Sequence, residues 1–187
     1  MEVVLASKSP RRLQLLQAAG FAVEVRPGHV DETPMPGEAV EKTVQRLCQL
    51  KAGACSVHDH PVIAADTLVA VDGKALGQPA DMAEAKIMLQ QLSGREHQVF
   101  TAVCVRLGEN TLGGVAETRV RFRALDDDEI DVYLAHNEVL DKAGAYAIQA
   151  GAASFIEAIE GPMDNVIGLP VVLTKELLMK LQRERDE

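Results

Sequence analysis

The opening segment Val3-Val4-Leu5-Ala6-Ser7-Lys8-Ser9-Pro10-Arg11-Arg12 constrains this chain most, because it encodes a buried strand running directly into a helix. Ser9 suits the N-cap, and Pro10 suits the first helical position, where a missing N–H is no loss. Leu13, Leu15, Leu16 and Ala19 continue at helical spacing, and Gly20 is placed to end the helix in a left-handed conformation. Arg11 and Arg12, however, put two cations in the first turn, beside a helix N-terminus that already carries roughly half a positive charge. An anion such as a phosphate would resolve that conflict. Extension of both side chains into water, or pairing with a distant carboxylate, would resolve it too, and these alternatives stay open on these residues alone.

A second conflict lies at Asp66, inside the aliphatic run Val62-Ile63-Ala64-Ala65-Asp66-Thr67-Leu68-Val69-Ala70-Val71. An ionised carboxylate there is destabilising by several kcal/mol unless it is paired, bound to a metal or placed where the strand meets a cleft. Ligands and catalytic groups collect at the carboxyl ends of strands in open α/β sheets, so a strand whose burial stops at Asp66 would present it there. The structural alternative is a carboxylate capping a loop through Thr67 and backbone N–H groups.

The composition sets limits. At 187 residues the chain can form one domain, 1–187, or two intimate lobes, and 47% hydrophobic with 25% charged residues is an ordinary globular composition. The formal charge of −9 argues against nucleic acid as a partner, because gripping a phosphate backbone needs a broad basic surface. No run of about 18 apolar residues is present, so no membrane span is expected. The start lacks the pattern of a secretory signal, and a cytoplasmic location is expected. The three cysteines, Cys48, Cys55 and Cys104, are odd in number and scattered, as reduced thiols rather than a disulfide framework.

Strand and helix patterns then alternate. Ala22–Val25 reads as a short strand, and 26–37 as a Pro- and Gly-punctuated loop carrying Val30-Asp31-Glu32-Thr33. Glu38 to about Val57 has one apolar helical face and includes Lys51. Asp72-Gly73 signals a hairpin into Lys74-Ala75-Leu76. Ala83–Leu92 is helical, Gln98–Leu107 is a strand, and Glu117–Phe122 is its partner across a turn at Gly113-Gly114. Asp126-Asp127-Asp128-Glu129 opens a helix to about His136, its acids complementing the dipole. A polar loop, a strand over Phe155–Ile159, a break at Gly161-Pro162 and a closing helix over Val171–Arg185 complete the pattern. The fold class is α/β, a mixed twisted sheet with flanking helices forming two lobes around a central cleft.

These features point to one chemistry. Arg11, Arg12 and Lys51 supply positive charge for a polyphosphate, while Glu32 and Asp66 supply hard oxygen ligands for Mg²⁺ or a related ion. A divalent cation neutralises phosphate charge and acidifies a coordinated water, as hydrolysis of a phosphoanhydride requires. No nucleophile elbow, Walker loop or dinucleotide-binding fingerprint competes. Cys48, Cys55, His58 and His60 match no closed zinc site, and His58-Asp59-His60 reads as an exposed loop.

Over nearly its whole length the chain resembles the Maf family of nucleoside triphosphate pyrophosphatases. The resemblance is carried by Leu5-Ala6-Ser7-Lys8-Ser9-Pro10-Arg11-Arg12, Val30-Asp31-Glu32, Lys51-Ala52, Ala65-Asp66-Thr67, Leu92-Ser93-Gly94, Asp141-Lys142-Ala143-Gly144-Ala145-Tyr146 and Gly168-Leu169-Pro170. It implies the fold shared by Maf and inosine triphosphate pyrophosphatase proteins. It also implies cleavage of a nucleoside triphosphate between the α and β phosphates, with a divalent metal cation, Mg²⁺ or Mn²⁺, as cofactor, and a homodimer. The family's acidic catalytic position falls on Asp66, as proton acceptor or metal ligand, with Glu32 as acidic partner and Lys51 beside them. Phosphate-contacting positions fall on Ser9, Arg12 and Lys51, and Ser7, Arg11, Gln78 and Lys142 are counted with the substrate-binding residues.

Within the family, the branch resembling dTTP/UTP pyrophosphatases has the residues found here at Arg12, Thr67 and Gln149. The branch acting on 7-methyl-GTP is expected to carry a glutamine after the aspartate and an acidic residue in place of Gln149. A Gln amide offers a donor and an acceptor, matching the O4 and N3–H edge of uracil or thymine. One departure is Gly77-Gln78-Pro79, where the family usually has a Lys-Pro pair, so the site loses a cation. Lys142 and Asp141 read either as active-site residues or as a structural ion pair. A second class of function, a non-catalytic nucleotide-binding regulator of septum formation, is favoured only by Gln78.

Overall fold

Two side-chain periods, near 3.6 and 2, alternate along this chain, and the elements follow them. The computed structural model describes residues 1–186, and Glu187, the end of the expected 1–187 domain, lies outside the described residues. Strands β1 (Glu2–Leu5), β2 (Ala22–Val25), β3 (Val62–Val71), β4 (Lys74–Leu76), β5 (Glu96–Leu107), β6 (Asn110–Phe122) and β7 (Ile156–Glu160) join helices α1 (Pro10–Ala18), α2 (Val40–Ala54), α3 (Met82–Leu92), α4 (Asp127–His136), α5 (Met163–Ile167) and α6 (Val171–Asp186). The sheet order is β2-β1-β3-β5-β6-β7, with β4 on β3. Strand β1 runs parallel to both β2 and β3, whereas β3 with β4 and β6 with β7 are antiparallel. The sheet is therefore mixed, and the α/β reading with flanking helices holds. No helix among the described residues is long and apolar enough to cross a membrane.

The chain forms two compact units, one of residues 1–66, 101–116 and 168 onward, the other of 67–100 and 117–167. In the first, Val3, Leu5, Leu16, Ile63, Ala65, Val103, Val105, Leu169, Leu178 and Leu181 form the core. Strand β1 registers Val4 on Val62 and Leu5 on Ile63, and the Ala6 N–H donates to the Ile63 carbonyl at 2.8 Å. The turn into α1 therefore begins beside the stretch of β3 that leads to Asp66. In the second unit, α3 and α4 pack over a core that includes Leu89, Leu92, Phe122, Tyr133, Tyr146 and Phe155.

Several sequence expectations need correction. Gly113-Gly114 is no turn: β6 starts at Asn110, and the reversal falls at Gly108, with φ +59°. Close packing explains the glycines instead, since a Cβ at Gly113 would meet Cys104 Sγ at 3.2 Å, and one at Gly114 would meet Leu173 Cδ1 at 3.0 Å. Ser9 does occupy the N-cap of α1, but its side chain makes no capping bond. The hydroxyl of Ser7 instead accepts the N–H of Ser9 itself at 3.2 Å. The region after His136 is not simply a loop, for it winds through 3₁₀ turns at 143–145, 148–150 and 152–155. The aliphatic run does form one strand, but its burial does not stop at Asp66. Strand β3 runs on to Val71, and burial only eases at Thr67 and Leu68.

Candidate active site

Asp66 is buried, 6% exposed, and its partner is Lys51. The Lys51 ammonium donates to Asp66 Oδ1 at 2.6 Å and to Glu32 Oε2 at 3.1 Å. Three segments thus converge: β3 brings Asp66, the last turn of α2 brings Lys51, and the loop before α2 brings Glu32. Burial raises the Asp66 carboxyl above the ordinary carboxylate range, Lys51 and Arg12 pull it back, and Glu32 adds to the rise. Desolvation is the first of these effects, as expected for a carboxylate among aliphatic neighbours. Glu32 itself is exposed.

The glutamate-bearing loop is held at several points. Asp31 Oδ1 accepts both the Thr33 N–H at 2.9 Å and the Thr33 hydroxyl at 2.6 Å, a local turn that brackets Glu32. Arg46 on α2 forms a fork onto Glu38, with Nε 2.9 Å from Oε1 and Nη2 2.8 Å from Oε2. At Gly28 the loop lies so close to α2 that a Cβ would stand 2.7 Å from Ala54 Cβ. The backbone on either side of Glu32 is therefore tied to the helix that carries Lys51.

Arg12 is held by Ser7 and by the backbone at Gly168. Its Nη1 donates to Ser7 Oγ at 3.1 Å and its Nε to the Gly168 carbonyl at 2.8 Å. Gly168 adopts φ +126°, a region that only glycine occupies without strain. Burial lowers the pKa of Arg12 and Asp66 raises it, and a guanidinium remains charged at neutral pH in any case. Ser7, Arg12, Lys51, Glu32 and Asp66 thus share one unit, with Ser9 and Arg11 at the head of α1.

The remaining candidates lie in the second unit. Thr67 follows Asp66 directly on β3 and is partly exposed. Gln78 is exposed, and its amide donates to the Asp141 carbonyl at 3.2 Å. The Gly144 N–H donates to the Gly77 carbonyl at 3.0 Å, so the 77–78 and 141–144 stretches are clipped together. Lys142 forms the ion pair with Asp141, Nζ to Oδ1 at 2.6 Å, and also donates to the Glu138 carbonyl. Gln149 sits exposed in a 3₁₀ turn. Beneath this segment His97 bonds the Tyr146 hydroxyl at 2.8 Å, in edge contact with Phe122.

Sequence reasoning missed Arg106 on β5. It is a cation in an aliphatic strand, the same signal that singled out Asp66, and it binds the carbonyls of Ala52, Cys55 and Val57 at the end of α2. His58 is bonded to that guanidinium at 3.0 Å, while Cys48 and Cys55 are buried free thiols.

The chain is 47% identical over 182 residues to a dTTP/UTP pyrophosphatase of Anaeromyxobacter dehalogenans, an alignment covering 95% of this chain and 93% of the relative. It is 45% identical to a protein of the same name from Aromatoleum aromaticum, covering 94% and 93%. A third, from Shewanella oneidensis, is 44% identical, covering 95% and 97%. The model of the family described as Maf-like protein matches residues 2–181. The chain therefore belongs to the Maf-like protein family.

Proposed function

We propose that this protein hydrolyses dTTP and UTP to the nucleoside monophosphate and pyrophosphate. One water is consumed, the P–O bond of the anhydride between the α and β phosphates breaks, and one proton is released. The observation that carries the reading is the meeting of Asp66, Lys51 and Glu32, with Arg12 in the same unit, in a chain whose relatives carry that activity in their names.

Each residue has a part that its environment supports. Asp66, with its carboxyl raised above the ordinary carboxylate range by burial, is the proton acceptor or a metal ligand. Lys51 and Arg12 neutralise charge on the phosphates, with Ser7, Ser9 and Arg11 contributing donors at the head of α1. Asp66 and Glu32 also fit a divalent cation: they are hard oxygen donors already sharing one positive charge, and Mg²⁺ is commonly held by one or two carboxylates plus substrate phosphates. Mg²⁺ or Mn²⁺ there would neutralise the phosphate charge and acidify water. Thr67 and Gln149 are assigned to the pyrimidine, and Gln78 and Lys142 to the remaining polar contacts with substrate.

The test is a panel of nucleoside triphosphates with Mg²⁺ or Mn²⁺, scored for pyrophosphate and monophosphate together. Equal amounts of both products from dTTP and UTP, lost on chelation, support the proposal. Release of orthophosphate instead, or binding of nucleotide with no turnover, would replace it, the latter with the regulator reading that Gln78 favours.

A further inference from the structure

We propose that Arg106 is a positioning residue for Lys51, an inference that rests on the hydrolase reading above for its kinetic consequences. Arg106 lies on β5, is 7% exposed, and engages all of its donors within one unit. Its Nε donates to the Ala52 carbonyl at 3.0 Å. Its Nη2 donates to the carbonyls of Cys55 at 2.6 Å and Val57 at 2.7 Å, and its Nη1 to His58 Nδ1 at 3.0 Å and the Gly108 carbonyl at 3.2 Å. A guanidinium has five N–H donors in a planar fork, and here each has a neutral acceptor.

The negative end of α2 compensates that buried charge, since the last carbonyls of a helix lack partners within it. The arrangement also has a consequence for the site. Ala52 is the residue after Lys51, so the clamp fixes the backbone from which the Lys51 ammonium reaches Asp66 and Glu32. Gly28 rests on Ala54 within the same turn, so the loop that carries Glu32 takes its position from the clamped segment as well. Helix ends otherwise fray at low free energy, and displacement of a catalytic group by about 1 Å can reduce turnover about a hundredfold. A lysine at 106 could not reproduce five divergent bonds, although it would keep the charge.

The experiment compares Arg106→Met with the native protein, each also carrying Lys51→Ala, in steady-state hydrolysis of UTP and in amide hydrogen exchange. Positioning through Lys51 predicts that Arg106→Met lowers kcat about tenfold or more, with a much smaller change in KM. In the Lys51→Ala background the same substitution should lower kcat by less than about twofold, because residues acting as a unit are not additive. Exchange should rise in residues 51–57 and 28–33, with the first turns of α2 unchanged. Equal losses in both backgrounds, or unchanged exchange at 51–57, would overturn the inference. If the native protein releases no pyrophosphate, the hydrolase reading fails, and the exchange pattern alone decides the clamp. Should Arg106→Met not fold, Arg106→Lys carries the same comparison.

Discussion

The Lys51 ammonium stands between two carboxylates, 2.6 Å from Asp66 Oδ1 and 3.1 Å from Glu32 Oε2, although those residues lie fifteen and nineteen positions away. The relation accounts for an acid in the middle of an aliphatic strand. Lys51 offsets part of what burial takes from Asp66, and the carboxyl still lies above its ordinary range.

Breaking this pair from one side should be destabilising. Lys51→Met leaves Asp66 buried with its main partner gone, and the protein should lose about 3 kcal/mol at neutral pH. Adding Asp66→Asn should restore most of that loss in urea unfolding. Additive losses in the double variant would show that the two groups are not coupled.

Glycine 28 has a steric role that Gly53 lacks. Gly28→Ala would place a Cβ 2.7 Å from Ala54 Cβ and 3.1 Å from its backbone, whereas a Cβ at Gly53 meets nothing within 4 Å. Gly28→Ala should lower stability by about 1–3 kcal/mol, and it should reduce kcat by displacing Glu32. Gly53→Ala, inside α2, should raise stability by about 0.5–1 kcal/mol. Thermal melts and UTP turnover of the two variants make the comparison, and equal melting points would contradict it.

His97 predicts an acid sensitivity. Burial lowers its pKa to about 4 from an ordinary value near 6.5, so the unfolded chain takes up a proton first. The stabilisation from a neutral His97 is therefore complete above about 6.5 and disappears as pH falls to 4, a change of about 3 kcal/mol. Urea midpoints measured from pH 7 to 4 should fall less steeply in His97→Phe than in the native protein. Parallel slopes would contradict this.

Gln78→Lys should return a cation to the 77–79 segment. A lysine can still donate to the Asp141 carbonyl that Gln78 now bonds, and its added charge should raise kcat/KM for dTTP or UTP about fivefold, equivalent to about 1 kcal/mol. An unchanged kcat/KM would show that charge at this position has no role.

Local signals in the sequence revealed much of this arrangement. The strand running into Pro10, the left-handed Gly20 and the Asp72-Gly73 hairpin all depend on residues a few positions apart, and they appear as the pattern requires. Asp66 stood out because a charge in an apolar run demands a partner, yet its spacing could not say that Lys51 supplies it, shared with Glu32. Arg106 carried the same signal in β5, but its partners are the backbone carbonyls of a distant helix end, which no side-chain motif encodes. Gly113 and Gly114 misled for a related reason: a glycine needed for close packing against Cys104 and Leu173 looks the same in sequence as one needed for a turn. The segment after His136 lacks apolar periodicity because its 3₁₀ turns are too short to show one.

The most direct test of the central claim is pyrophosphate release from UTP and dTTP by Asp66→Asn, at saturating Mg²⁺ and after the variant is shown to be folded. The account predicts a fall in kcat of about 10²-fold or more against the native protein. Full activity in Asp66→Asn would contradict it.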